Sequence, residues 1–201
     1  NDIVKTIEIN NENRNINHIV ISGGEPFIQE KGLYELVYKL KQLQYHITIE
    51  TNGTIFNMDI CNLVDLMSIS PKLLNSVPFE YKFKGLEVDK LNLIYSKKWQ
   101  DLHEKKRINI DSLIDFAKFS NNIQFKFVVN NEEDLNEIIT IINEIKKHSL
   151  IKNSNVSLMP EGYFAEDVME KSKWVINKCI ENGFRFTTRL HTLIFGTSRG
   201  I

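Results

Sequence analysis

Cysteine is scarce in this chain of 201 residues: only Cys61 and Cys179 are present. They stand far apart on apparently helical stretches, so they read as buried thiols and not as a disulfide or a metal pair. No apolar run approaches the roughly 18 residues that a membrane span needs, and no charged segment followed by a signal-peptide core opens the chain. We therefore expect a cytoplasmic protein. A basic stripe is also missing, since the formal net charge is -1 and Lys alternates with Asp and Glu throughout. Without such a stripe nucleic acid is not an expected partner, and neither is a membrane. There is no acidic tail, no internal repeat and no low-complexity linker. A starting Met is absent too: the chain begins at Asn1 and enters a helix-like segment with no strand before it. That beginning reads as a start inside a longer protein.

What is present suits a soluble globular domain, with 42% hydrophobic and 25% charged residues. We expect a single domain over residues 1–201. Short apolar runs predict strands at 18–22, 46–51, 65–70, 123–129, 156–159 and 184–188. Between them, apolar residues at helical spacing predict helices at 33–43, 110–119, 132–147 and 165–182, the last stopped by Gly183. The stretch 73–107 is the least regular, and reads as an excursion with one further short strand near Lys90 to Ile94. Strands trading places with helices imply right-handed βαβ units and a parallel α/β sheet. An open doubly wound sheet and a complete or partial barrel both fit that pattern.

In such folds ligands lie beyond the C-terminal ends of the strands, and those ends are unusually polar here. They read Ser22-Gly23-Gly24-Glu25-Pro26, Glu50-Thr51-Asn52-Gly53-Thr54, Ser70-Pro71-Lys72, Lys126 within its strand, Met159-Pro160-Glu161-Gly162 and Arg189-Leu190-His191. Paired glycines let backbone N–H groups approach a ligand, and Glu25 offers a carboxylate to a ligand ammonium. The plainer alternative is a strand-to-helix turn in which Glu25 favours a helix N-terminus. Lys126 sits among alternating apolar residues and needs a counter-charge, for which Glu50 is the candidate. Met159 is equally compatible with ordinary core, and His191 with a hydrogen-bonded structural histidine.

Gly-Gly-Glu-Pro at a strand end resembles the motif with which radical S-adenosylmethionine enzymes hold the methionine ammonium of their cofactor. The ordered set of strand ends, with Trp99 to Arg107 and the C-terminal Gly196 and Arg199-Gly200, is similar to the 7-carboxy-7-deazaguanine synthase family from His18 onward. The resemblance implies a partial TIM-like (β/α)6 barrel of the radical S-adenosylmethionine type. It implies a lyase that converts 6-carboxy-5,6,7,8-tetrahydropterin to 7-carboxy-7-deazaguanine with loss of ammonia.

By the same resemblance, Gly23, Gly24 and Glu25 would hold the cofactor amine, and Ser70 and Lys72 its carboxylate or ribose. Glu50, Thr51, Asn52 and Lys126 would line the cofactor, while Met159 and Pro160 would pack on its adenine. Ser22, Arg189, His191 and Ile201 would meet the pterin. The implied cofactors are S-adenosyl-L-methionine, a [4Fe-4S] cluster and Mg2+, and the implied partners are an external electron donor such as a flavodoxin or ferredoxin and a second copy in a homodimer. The chain departs from the family in lacking a closely spaced cysteine triplet, which the family carries N-terminal to Gly-Gly-Glu-Pro, so no metal ligand is assigned here. Two other readings stay open: a cluster-free barrel that binds S-adenosylmethionine or a pterin, and an activating enzyme acting on a partner protein.

Overall fold

The computed structural model describes residues 2–76 and 97–196. In chain order the elements are α1 (Asp2–Asn11), β1 (His18–Ile21), α2 (Glu30–Gln42), β2 (His46–Thr51), α3 (Met58–Leu63), β3 (Leu66–Ile69), α4 (Lys97–Lys106), α5 (Ile110–Phe119), β4 (Ile123–Val129), α6 (Glu132–Lys146), β5 (Val156–Pro160), α7 (Ala165–Asn182), β6 (Arg185–Phe186) and α8 (Leu190–Phe195). Each long helix follows from its apolar spacing. On α2 the buried residues are Leu33, Val37 and Leu40, and on α6 they include Leu135, Ile138, Ile141, Ile142 and Ile145. These fall on one face at helical period.

Asparagines start three of the helices. The side chains of Asn57, Asn109 and Asn131 accept from the N–H groups of Ile60, Ser112 and Asp134 and so satisfy donors that the first turn leaves unpaired. Gly183, at φ +66°, ends α7 in the left-handed region, as the sequence predicted.

Among the described residues all the strand pairings are parallel, and the six strands run in the order β1-β2-β3-β4-β5-β6. That order decides between the two architectures left open by periodicity. A doubly wound sheet reverses direction at a switch point and puts helices on both faces. A monotonic order with right-handed crossovers puts them on one face, as in a barrel. Here Ile47, Ile49, Met67, Ile69, Phe125, Phe127, Val156 and Leu158 form one buried core with the helices. The opposite face, set by the same registers, carries Thr48, Glu50, Ser68, Gln124, Lys126, Ser157 and Met159. The sheet is thus the open, six-stranded arc of a barrel, apolar outside under its helices and polar within.

The elements differ from expectation in three places. The last strand spans only Arg185–Phe186, both exposed, and Arg189-Leu190-His191 is not a strand end but the start of α8. Leu190, Leu193 and Ile194 follow at helical spacing once the ladder stops at Thr187, whose N–H donates to the Leu158 carbonyl. The irregular excursion contains a helix, α4, and the short α3 was not foreseen. The strand expected near 90–94 lies outside the described residues.

Candidate active site

The C-terminal ends of β1, β2 and β3 converge on a recess of about 370 Å³ lined by Ser22, Gly23, Gly24, Glu25, Glu50, Thr51, Asn52, Ser70 and Lys72. Gly23 and Gly24 turn with φ of +98° and +22°, and a Cβ on either would meet nothing within 4 Å, so the turn presents bare backbone to open space. Phe27, fully buried, packs edge-on against Phe116 at 5.4 Å and pins the chain immediately after the turn.

Glu25 is oriented from three sides. Its Oε1 accepts from the Thr51 hydroxyl at 2.6 Å and from the Phe27 amide at 3.2 Å, and its Oε2 accepts from the Asn52 amide at 2.8 Å. A carboxylate has about four acceptor positions, so this set leaves one on Oε2 for a further donor. The partner turn is itself fixed: the Asn52 side chain accepts from the amide and hydroxyl of Thr54 at 2.8 and 2.7 Å. Gly53 is wedged against the core, since a Cβ there would lie 2.5 Å from Leu113 and 2.6 Å from Ile69. On the inner face, Lys126 donates to Glu50 at 2.8 Å, the pairing expected from the sequence.

A second recess of about 270 Å³ adjoins the first, sharing Ser70 and Lys72, and adds Lys126, Glu161, Tyr163 and Arg189. Arg189 reaches the Gly162 carbonyl at 3.5 Å. The two recesses make one rim with a glutamate grip at one end and three cationic side chains toward the other. A larger hollow of about 700 Å³, bordered by His46, Asp65, His148 and Arg185, opens at the opposite, N-terminal ends of the strands. We place the site at the C-terminal rim despite the difference in volume, because oriented polar groups and glycine turns converge there.

Not every residue expected in the site is brought to it. Met159 lies on the polar face beside Val128, but Pro160 is paired with Val129 on the helix-covered face and is buried there. Thr51 is buried and serves Glu25 through its hydroxyl. His191 is exposed on α8, with its ring near the Thr192 hydroxyl at 3.3 Å, and lines neither recess. Ile201 and Arg199 lie outside the described residues. Sequence reasoning missed Asn75 and Tyr163, which line the second recess from a single 3-10 turn and a loop whose shapes no periodicity encodes.

Neither cysteine can serve a cluster. Both are buried and free, burial pushes the Cys61 thiol up to about 12, and it raises that of Cys179 as well. Among the described residues no group of three or more His, Cys, Asp or Glu is placed to hold a metal ion. No described helix is long and apolar enough to cross a membrane.

Comparison with known proteins shows what this chain is similar to. Residues 1–84 match the family described as a 4Fe-4S single cluster domain. The 7-carboxy-7-deazaguanine synthase of Halobacterium salinarum is 34% identical over 181 residues, covering 89% of this chain and 65% of that protein. That of Rhodopirellula baltica is 30% identical over 185 residues, covering 92% and 64%. The chain therefore spans slightly less than two thirds of these relatives. Among solved structures, QueE from Escherichia coli superposes with a TM-score of 0.54 at 19% identity, covering 94% of this chain and 62% of that one. A domain of pyruvate-formate lyase-activating enzyme from Bacteroides vulgatus superposes with a TM-score of 0.51 at 12% identity, covering 85% and 98%. Over nine-tenths of its length the chain is similar in sequence to the 7-carboxy-7-deazaguanine synthases, and its arc of parallel strands is the fold it shares with QueE.

Proposed function

We propose that the chain forms the S-adenosylmethionine- and pterin-holding part of a 7-carboxy-7-deazaguanine synthase, a radical lyase acting on 6-carboxy-5,6,7,8-tetrahydropterin. The observation that carries this reading is Glu25, fixed by three donors with one acceptor position left open, across the same recess from Lys72. An amino-acid moiety has an ammonium and a carboxylate, and a recess with a glutamate and a lysine matches both. The exposed peptides of Gly23 and Gly24 let that moiety lie close to the backbone. When bound, the cofactor supplies the radical chemistry, and this chain's residues orient it and exclude water.

In the adjoining recess, Arg189 and Lys126 would face the acid group of the pterin, and Glu161 and Ser70 offer polar partners for its flat edge. Lys126 is already paired with Glu50, so Arg189 is the stronger anchor for a carboxylate. Ser22, in the first recess, would lie between cofactor and substrate. The chain's own thiols do not fit a four-iron cluster, and we derive no step through it or through Mg2+. An electron donor and a second copy of the chain remain the expected partners.

Calorimetric titration of the chain with S-adenosylmethionine tests the reading. We expect saturable binding that Glu25→Ala weakens at least tenfold, and binding of a 6-carboxypterin that Arg189→Ala weakens. Binding unchanged by both substitutions would place the ligands elsewhere. A second reading, a cluster-free binding module of the same shape, draws on the cysteine content alone. Both readings require the same two ligand sites, and a closely spaced cysteine triplet encoded N-terminal to Asn1 would separate them.

A further inference from the structure

The loop that carries Lys72 is held from outside the recess. Arg107, one residue past α4 and with its side chain only 10% exposed, donates through Nε and Nη2 to the two oxygens of Glu104 at 2.7 and 2.8 Å. Its Nη1 donates to Glu137 of α6 and, at 3.1 Å, to the carbonyl of Lys72. The other oxygen of Glu137 accepts from the amide of Leu74 at 3.0 Å. One ion pair therefore closes on both ends of a three-residue stretch: its cation on the carbonyl of Lys72, its anion on the amide of Leu74. Asn75, next along, donates to the Val128 carbonyl at 3.1 Å and to the buried Asp134 at 2.8 Å. Arg107, Glu137 and Asp134 line neither recess.

A lysine is a point charge on a flexible four-carbon stem, so the fixity of its grip depends on the backbone beneath it. An exposed or half-buried ion pair contributes little stability in itself. This pair spends a further hydrogen bond from each partner on the backbone either side of one rim lysine, an arrangement suited to fixing that lysine's position.

We propose that the Arg107–Glu137 pair is a positioning device that sets Lys72 for the carboxylate of the cofactor's amino-acid moiety, an inference that rests on reading the rim as an S-adenosylmethionine site. It makes α4, the helix within the irregular excursion, and α6 part of the ligand grip, although neither Arg107 nor Glu137 lines the recess.

The test is a double-mutant cycle read by calorimetric titration of the chain with S-adenosylmethionine, with hydrogen exchange of residues 72–76 followed alongside. We expect Lys72→Ala to weaken binding about tenfold and Arg107→Ala three- to tenfold. The double variant should bind within about twofold of Lys72→Ala alone, because contacts in one network are not additive. Exchange at the Leu74 amide should accelerate in Arg107→Ala. Full affinity in Lys72→Ala would remove the reading of the rim, and the positioning role with it. Weakened binding in Lys72→Ala beside full affinity in Arg107→Ala, or multiplicative losses in the double variant, would overturn the positioning role while leaving the rim intact. Should Arg107→Ala fail to fold, Arg107→Lys, which keeps the charge toward Glu137 but cannot make the planar fork, takes its place with the same two outcomes.

Discussion

A Cβ on Gly53 would sit within 2.6 Å of both Leu113 and Ile69, and the residue holds a φ of +78°. Gly53→Ala thus combines an overpacked core with a strained backbone, and we expect a loss of about 2–4 kcal/mol in chemical denaturation. The Asn52 turn should loosen with it. Asp65 shows a different kind of dependence. Its carboxylate accepts from Lys41 at 2.8 and 2.9 Å and from the Ile47 amide at 2.7 Å, joining the starts of β2 and β3 to the end of α2. Burial pushes this carboxyl up, but the Lys41 and Ile47 hydrogen bonds and the nearby charges of Lys41 and His46 outweigh it and leave the group below its usual range. A lowered folded pKa contributes stability that is complete above the unfolded value of about 3.9 and is lost as pH falls through the folded one. Asp65→Asn should therefore cost about 1–2 kcal/mol near neutrality and flatten the acid limb of a stability-versus-pH curve. An unchanged acid limb would count against that linkage.

The helices that begin at an asparagine cap, α3, α5 and α6, can each be tested alone. Asn131 caps α6, which buries five apolar side chains against the sheet, and Asn131→Ala should lower stability by about 1 kcal/mol in thermal or chemical denaturation. The regular elements were legible because their residues obey one period each. Leu33, Val37 and Leu40 repeat at helical spacing, and Ile47 and Ile49 alternate with polar Thr48 and Glu50. The Lys126–Glu50 pair was legible for a related reason, since a cation on an alternating strand must find an anion on the same face. The ends of the sheet were not. Leu190, Leu193 and Ile194 fall at helical spacing, but whether the chain past Phe186 runs on as strand or turns into a helix depends on where the ladder with β5 stops. Nor could composition show that Pro160 turns toward the helices while Met159 turns inward, because a shift of one residue in register exchanges the two faces. The network around Arg107 joins residues far apart in sequence, and no local pattern announces it.

For the molecule as a whole, the two buried and widely separated thiols lead to a simple expectation. Anaerobic reconstitution of this 201-residue chain with iron and sulfide should leave no stoichiometric iron, by metal analysis and by the absence of a charge-transfer band near the visible. About four irons per chain would overturn it. Ligand binding should survive without iron, because the rim is built from backbone turns and side chains of this chain. The Glu25 grip also has a property that its geometry alone settles. Its described partners are a hydroxyl and two backbone amides, none of them charged. Added salt screens the attraction of Lys72 and Arg189 for anionic groups and that of Glu25 for an ammonium alike, while the short hydrogen bonds that orient the Glu25 carboxylate stay in place. Ionic strength should thus weaken the capture of a ligand's acid groups and of its ammonium together while the Glu25 seat keeps its shape, so a salt titration reads the pull of charge at both ends of the rim.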